Sequence, residues 1–131
     1  MKKDDIHTSG KRKRAIARCT LRQGSGIVKI NNRNLLTWGT ALLRMRVQEP
    51  LLITKAHALD FFVTVRGGGA MGQADAVRLA IGRALAEHDA KFRQVLLDYD
   101  RMLLVADVRR KEAAKPNHHG KARAATQKSY R

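Results

Sequence analysis

The glycines Gly67, Gly69 and Gly72 carry the most specific chemical signal in this 131-residue chain. They match G-x-G-x-x-G, follow a β-rich run, open a helical one, and have Glu87 about 20 residues further on, as a dinucleotide site requires. Such a site also needs several parallel strands built from repeated βαβ units, and the chain has neither the length nor a second unit. Beneath the motif lies a more general property. Glycines let backbone N–H groups approach an anion, the following helix turns its positive end toward it, and Arg66 adds charge. An RNA phosphate satisfies that arrangement as well as a nucleotide does. The plainer alternative is that the glycines only permit a tight strand-to-helix turn.

A second signal is cationic. Lys11, Arg12, Lys13 and Arg14 form an unbroken run leading into a strand whose outer face continues with Arg18 and Arg22. A charge run alone is commonly a solvated surface, but continuity from arm to strand face favours a phosphate track. His118 and His119 are adjacent in a tail and Cys19 stands far from them, so zinc spacing is absent and no metal is expected. The acidic residues are scattered, with no carboxylate pair and no nucleophile–base set. The reading is therefore of a protein without catalytic residues or cofactor.

Charge supports this. Lys and Arg number 27 against 11 Asp and Glu, a net charge of +16 that opposes compaction until a polyanion neutralises it. No acid lies between Asp5 and Glu49, and none follows Glu112, so both ends are anion-seeking. One cysteine precludes an internal disulfide, and no apolar run reaches the ~18 residues of a membrane span. Met1 to Asp5 lacks the apolar stretch of a signal peptide, so a reducing cytoplasm is expected.

The elements that must position these groups can be read from periodicity. Between Arg14 and Arg22, Ala15, Ala17, Cys19 and Leu21 alternate with Arg18, Thr20 and Arg22, predicting a strand with one buried and one basic face. A turn at 23–26 and the apolar run 27–30 predict a β-hairpin, and Asn31 and Asn32 turn the chain again. Helical spacing over 35–47 predicts a helix that Pro50 stops. The run 59–65 predicts a strand with Phe61, Val63 and Val65 on one side. The stripe Ala74, Val77, Ile81, Ala84 and Leu85 predicts a helix over 73–88. A short helix over 92–99 and a packed segment over 102–105 follow. After Val108 the only aliphatic residue is Ala, and the basic stretch 115–131 cannot fold alone. These runs imply an α+β fold: an N-terminal arm (1–10), a globular domain (11–108) and an extended basic tail (109–131).

Several stretches together resemble the family of the ninth protein of the small ribosomal subunit. They are Gly10-Lys-Arg-Lys-Arg-Ala-Ile-Ala-Arg18, Gly26-Ile-Val-Lys-Ile-Asn31, Gly67-Gly-Gly-Ala-Met-Gly-Gln-Ala74 with Arg78 and Arg83-Ala-Leu85, and the ending Lys128-Ser-Tyr-Arg131. The ending and the Trp38 and Met45 region are similar to archaeal and eukaryotic members. The resemblance implies a small sheet packed with helices, of the type shared with the second domain of the fifth small-subunit protein, docked on ribosomal RNA in the subunit head among neighbouring ribosomal proteins. It assigns ribosomal RNA contact to Lys11, Arg12, Lys13, Arg14, Arg18, Arg66, Gly67, Gly68, Gly69, Gln73, Arg78, Arg109, Arg110 and Lys111. It assigns proximity to peptidyl-site tRNA to Lys128, Ser129, Tyr130 and Arg131.

Two other functions compete: a nucleotide-using enzyme built on the glycine loop, and a free basic chaperone condensing RNA or DNA without a fixed site. Salt-resistant co-sedimentation with small ribosomal subunits favours the embedded component, whereas saturable mononucleotide binding favours the enzyme.

Overall fold

A computed structural model describes residues 5–56, 58–117 and 122–123. Five strands, β1 (Ile6–Arg12), β2 (Ala15–Gln23), β3 (Val28–Ile30), β4 (Arg33–Asn34) and β5 (Leu59–Arg66), form one sheet in the order β1-β2-β5-β3-β4. Three helices complete the described fold: α1 (Ala41–Thr54), α2 (Ala70–His88) and α3 (Ala90–Tyr99). The architecture is α+β, as the runs of the sequence predict.

β5 occupies the centre of the sheet because its burial alternates without a break. Leu59, Phe61, Val63 and Val65 are buried, while Phe62, Thr64 and Arg66 stand on the other face. It pairs antiparallel with β2 (Cys19 opposite Val63) and parallel with β3 (Val28 opposite Phe61). The expected hairpin between β2 and β3 therefore does not form, since β5 inserts between them. What holds the β2–β3 turn is Asp60, whose Oδ1 accepts the backbone N–H groups of Ser25, Gly26 and Ile27 at 3.1, 3.0 and 2.9 Å. These bonds hold its carboxyl below the usual 3.8, the Ile27 N–H contributing most.

Ile6 to Gly10, expected in an N-terminal arm, belongs to the edge strand β1, paired with β2 from Ile6–Leu21 to Arg12–Ala15. Its composition, Ile-His-Thr-Ser-Gly, hides it. The inward positions are half-buried Ile6, Thr8 and buried Gly10 rather than a run of large apolar residues. Gly10 is required by close packing, because a Cβ there would meet the Ala76 carbonyl and lie 2.7 Å from the Ala80 nitrogen of α2. Thr8 donates its hydroxyl to the Ala80 carbonyl at 2.8 Å, satisfying a polar group on the inward side.

The predicted helix over 35–47 is displaced. Residues 35–37 make a single 3-10 turn, and α1 runs from Ala41 through Pro50 to Thr54. Pro50 removes one backbone donor, but it is buried, and Leu51 and Ile53 beyond it pack against the core. That burial outweighs the missing bond. α2 lies across the inner face of the sheet, and its predicted stripe of Ala74, Val77, Ile81, Ala84 and Leu85 is fully buried. Cys19 shares this core. Burial pushes its thiol up to about 12, only partly offset by a bond with Thr8, so it serves packing and offers no thiolate near neutral pH.

Candidate nucleic-acid interface

The basic run at 11–14 is the tip of the β1–β2 hairpin rather than an arm leading into a strand. Lys11 and Arg12 end β1, and Lys13 and Arg14 form the two-residue turn, with Lys13 at φ 53°. The glycine loop is packed directly beneath this tip. Gly67 and Gly68 adopt φ of 80° and 66°, which side chains with a Cβ rarely tolerate. A Cβ on Gly67 would lie 2.6 Å from the Arg14 carbonyl oxygen, and one on Gly68 would lie 3.0 Å from the Ala15 nitrogen. These two glycines are explained by the turn and by close approach of the hairpin.

Gly69 differs. A Cβ there would meet nothing, and it is the N-cap of α2, with no side-chain capping bond and no acidic residue in the first turn. The first N–H groups of α2 thus have no side-chain cap, and no acid in the first turn opposes the helix dipole beside the open space at Gly69. That space is a groove of about 1400 Å³ between the hairpin tip, the glycine loop and residues 109–114. Lys11, Arg12, Lys13, Arg14, Gly68, Gly69, Arg109, Arg110 and Lys111 all line it, and Glu112 is the acid among the lining residues. Three stretches distant in sequence thus converge on one cationic channel with a helix N-terminus in its wall. Chemically, a lysine ammonium can meet a phosphate as a point charge and an arginine with two parallel N–H bonds.

The predicted residues do not all act alike. Arg12 lines the groove, but its guanidinium is engaged by Asp107 and lies 3.8 Å from Asp75. Arg109 also pairs with Asp107, at 2.8 Å. Asp107 thereby ties the start of the C-terminal segment to β1 and fixes where that segment runs. Among the described residues, Lys11, Lys13, Arg14, Arg110 and Lys111 have no acidic partner within 4.0 Å. Gln73 donates to the Gly67 carbonyl at 3.2 Å and braces the loop. Arg18 and Arg66 stand on the outer face of the sheet. Arg78 lies elsewhere, half-buried between Glu49 (3.0 Å) and Asp100 (3.5 Å), where it joins α1, α2 and the end of α3. Lys128, Ser129, Tyr130 and Arg131 fall outside the described residues, as do His118 and His119.

Sequence reasoning passed over two positioning groups. Asp107 carries no motif, and only its contact with two arginines reveals it. Arg83 reads in sequence as part of a motif and as a residue off the apolar stripe of its helix, yet it donates to the Leu104 carbonyl (3.1 Å) and the Ser9 carbonyl (3.0 Å), joining edge strand, helix and C-terminal segment. The dinucleotide reading fails on topology. No strand follows α2 to complete a parallel βαβ unit among the described residues, and Glu87 lies near the far end of α2, about 25 Å along the helix from the loop.

Fold and site together define a small, basic α+β protein built around a groove suited to a polyanionic backbone. The chain belongs to the ribosomal protein S9/S16 family, whose sequence pattern matches residues 10–131. It is 46% identical to small ribosomal subunit protein uS9 of Methanothrix thermoacetophila, over 96% of this chain and 98% of the relative. It is 48% identical to the protein of that name from Thermoplasma acidophilum, over 95% and 98%, and 42% identical to that of Methanococcus vannielii, over 96% and 98%. These relatives are archaeal, in keeping with the residues around Trp38 and Met45 and the Ser-Tyr-Arg ending.

Proposed function

We propose that this chain holds ribosomal RNA in the head of the small subunit along the hairpin–glycine groove, with its C-terminal residues reaching peptidyl-site tRNA. As a family member it is a structural constituent of the small ribosomal subunit, not an enzyme, with ribosomal RNA and other ribosomal proteins as its neighbours. The finer reading rests on one observation: the 11–14 run, the glycine loop and the 109–111 run converge on one groove, five of whose cations lack an acidic partner among the described residues. Lys13 and Arg14, Arg110 and Lys111 would grip the backbone, with Gly69 leaving room for a phosphate at the α2 N-terminus. Arg18 and Arg66 would extend the contact onto the sheet. Arg12, Gly67, Gly68, Gln73, Arg78 and Arg109 would support it mainly by shaping the domain.

Residues 128–131 would supply directional groups beyond the groove: an arginine for a phosphate and Tyr130 to stack or donate its hydroxyl. The test has two arms. The full chain should co-sediment with small subunits through a high-salt wash, and a variant with Lys13, Arg14, Arg110 and Lys111 all replaced by Ala should be washed off. Retention of that variant would remove the groove from the account. Deleting residues 128–131 should leave incorporation intact while weakening peptidyl-site tRNA binding by on the order of 1 to 3 kcal/mol. Unchanged tRNA binding at several salt concentrations would exclude the tail role.

A further inference from the structure

The outer face of the sheet differs from the groove and is continuous with it, since Lys11 and Ile16 border both. The alternation that buries Phe61 leaves Phe62 on this face, 36% exposed, in a chain with three phenylalanines. The strand register puts Phe62 in the middle of a row, with Thr20 on one side and Lys29 on the other. On β2, Arg18 and Arg22 occupy the two positions flanking Thr20, diagonal to the ring. The Arg22 guanidinium lies over the ring, 5.5 Å from its centroid, held there by an Nε bond to Asp5 at 2.9 Å, so a base stacking here meets ring and guanidinium together. Arg66 and Lys11 complete the cations of this face. Asp60, its central acid, has one oxygen committed to three backbone N–H groups.

We propose that this face is a platform for an unpaired RNA segment, one base stacking at Phe62 and the Arg22 guanidinium beside it while adjacent phosphates lie against Arg18 and Lys29. The inference rests on the ribosomal RNA reading above and adds the form of RNA recognised. A paired helix turns its bases inward and would meet this surface with phosphates alone, leaving the Phe62 and Ile16 surfaces uncovered. A splayed base presents a π-face of matching size, and the cations take the flanking charge. A protein partner would have to neutralise a face on which five cations stand against two acids, Asp60 and the Asp5 bound to Arg22, which a nucleic-acid backbone does by its composition.

The test uses the full chain, a short unstructured RNA of mixed sequence and the fully paired duplex of that strand. Phe62→Leu keeps an apolar side chain at this half-exposed position and removes the ring. It should lower affinity for the single strand about tenfold, leave the duplex affinity and both salt slopes unchanged, and be rescued by Phe62→Tyr. If Phe62→Leu binds the single strand within about twofold of the parent, the platform is wrong. The fourfold groove variant separates the two ideas. Loss of both RNAs by that variant with no effect of Phe62→Leu keeps the groove and overturns the platform. Unchanged binding by the groove variant with selective loss in Phe62→Leu keeps the platform and overturns the groove. Equal loss of single strand and duplex in Phe62→Leu, with circular dichroism unchanged, would also overturn it.

Discussion

Two groups of cations behave oppositely in this molecule. Around the helices, Arg46 meets Asp75 at 2.5 Å and Arg78 lies between Glu49 and Asp100, while Arg12 bridges toward Asp75 and Asp107. At the groove, Lys13, Arg14, Arg110 and Lys111 have no acid within ion-pair distance among the described residues. The first group is part of the protein's own architecture, and the second is left without an acid of its own among the described residues. What separates them is the placement of a few acids, since nearly all eleven carboxylates sit in the middle of the chain or at its first residues. A cation's role here follows from whether the fold carries it to one of them.

The sharpest way to break this contrast is to remove the groove set. Lys13→Ala, Arg14→Ala, Arg110→Ala and Lys111→Ala combined should reduce RNA affinity by on the order of 4 kcal/mol, about a thousandfold, and lower the salt slope by about 3. The denaturation midpoint should hold or rise slightly, because mutual repulsion is relieved. Fluorescence titrations at several salt concentrations check the first two, and thermal unfolding checks the third. A large stability loss would mean that these cations are architectural after all.

Gly68→Val acts where the two regions meet. It forces a β-branched residue to φ 66° with a Cβ 3.0 Å from the Ala15 nitrogen. The expected cost is about 3 kcal/mol of stability, with impaired subunit incorporation as the hairpin tip is displaced. Gly69→Ala, whose Cβ meets nothing, should fold normally, so any binding defect in it would report on the groove alone. Normal melting and incorporation of Gly68→Val would contradict the packing geometry.

Arg78→Ala should show the reverse of the groove variant. Its side chain is 15% exposed, and its loss leaves Glu49 and Asp100 unpaired, so urea denaturation should reveal about 2 kcal/mol of destabilisation. The salt slope of RNA binding should not move; a fall of about one unit would assign Arg78 to phosphate contact instead.

The smallest effect concerns Asp60, which anchors the turn rather than either cation set. Asp60→Asn should cost about 1 kcal/mol at neutral pH. Because the folded-state carboxyl is held below its ordinary 3.8, its stabilisation is present in full above that value and lost as pH falls through the lower folded one. The stability gap between parent and variant should therefore close below about pH 4. A gap that persists in acid would mean that the ionised carboxylate is not what holds the turn.

Much of this is legible in the sequence. Alternation marked β2 and β5 because each buries one face and exposes the other, and the 3.6-residue period marked α2 because one broad stripe of it is buried. The net charge and its crowding at the two ends announced a polyanion partner, and the motif order pointed to the family. Local pattern misled where tertiary burial overruled it. Pro50 sits inside α1 because the residues beyond it reach the core, and β1 was invisible because its inward positions are filled by Thr8 and Gly10, small enough to lie against α2. Chain neighbours could not show that β5 separates β2 from β3, since strand order is set by which apolar faces complete one core. Nor could they divide the arginines, because ion pairing depends on residues brought together from some 30 to 95 positions apart. Sequence determined what kinds of group the molecule carries; only the packed fold decided which of them remain unsatisfied and therefore available to a partner.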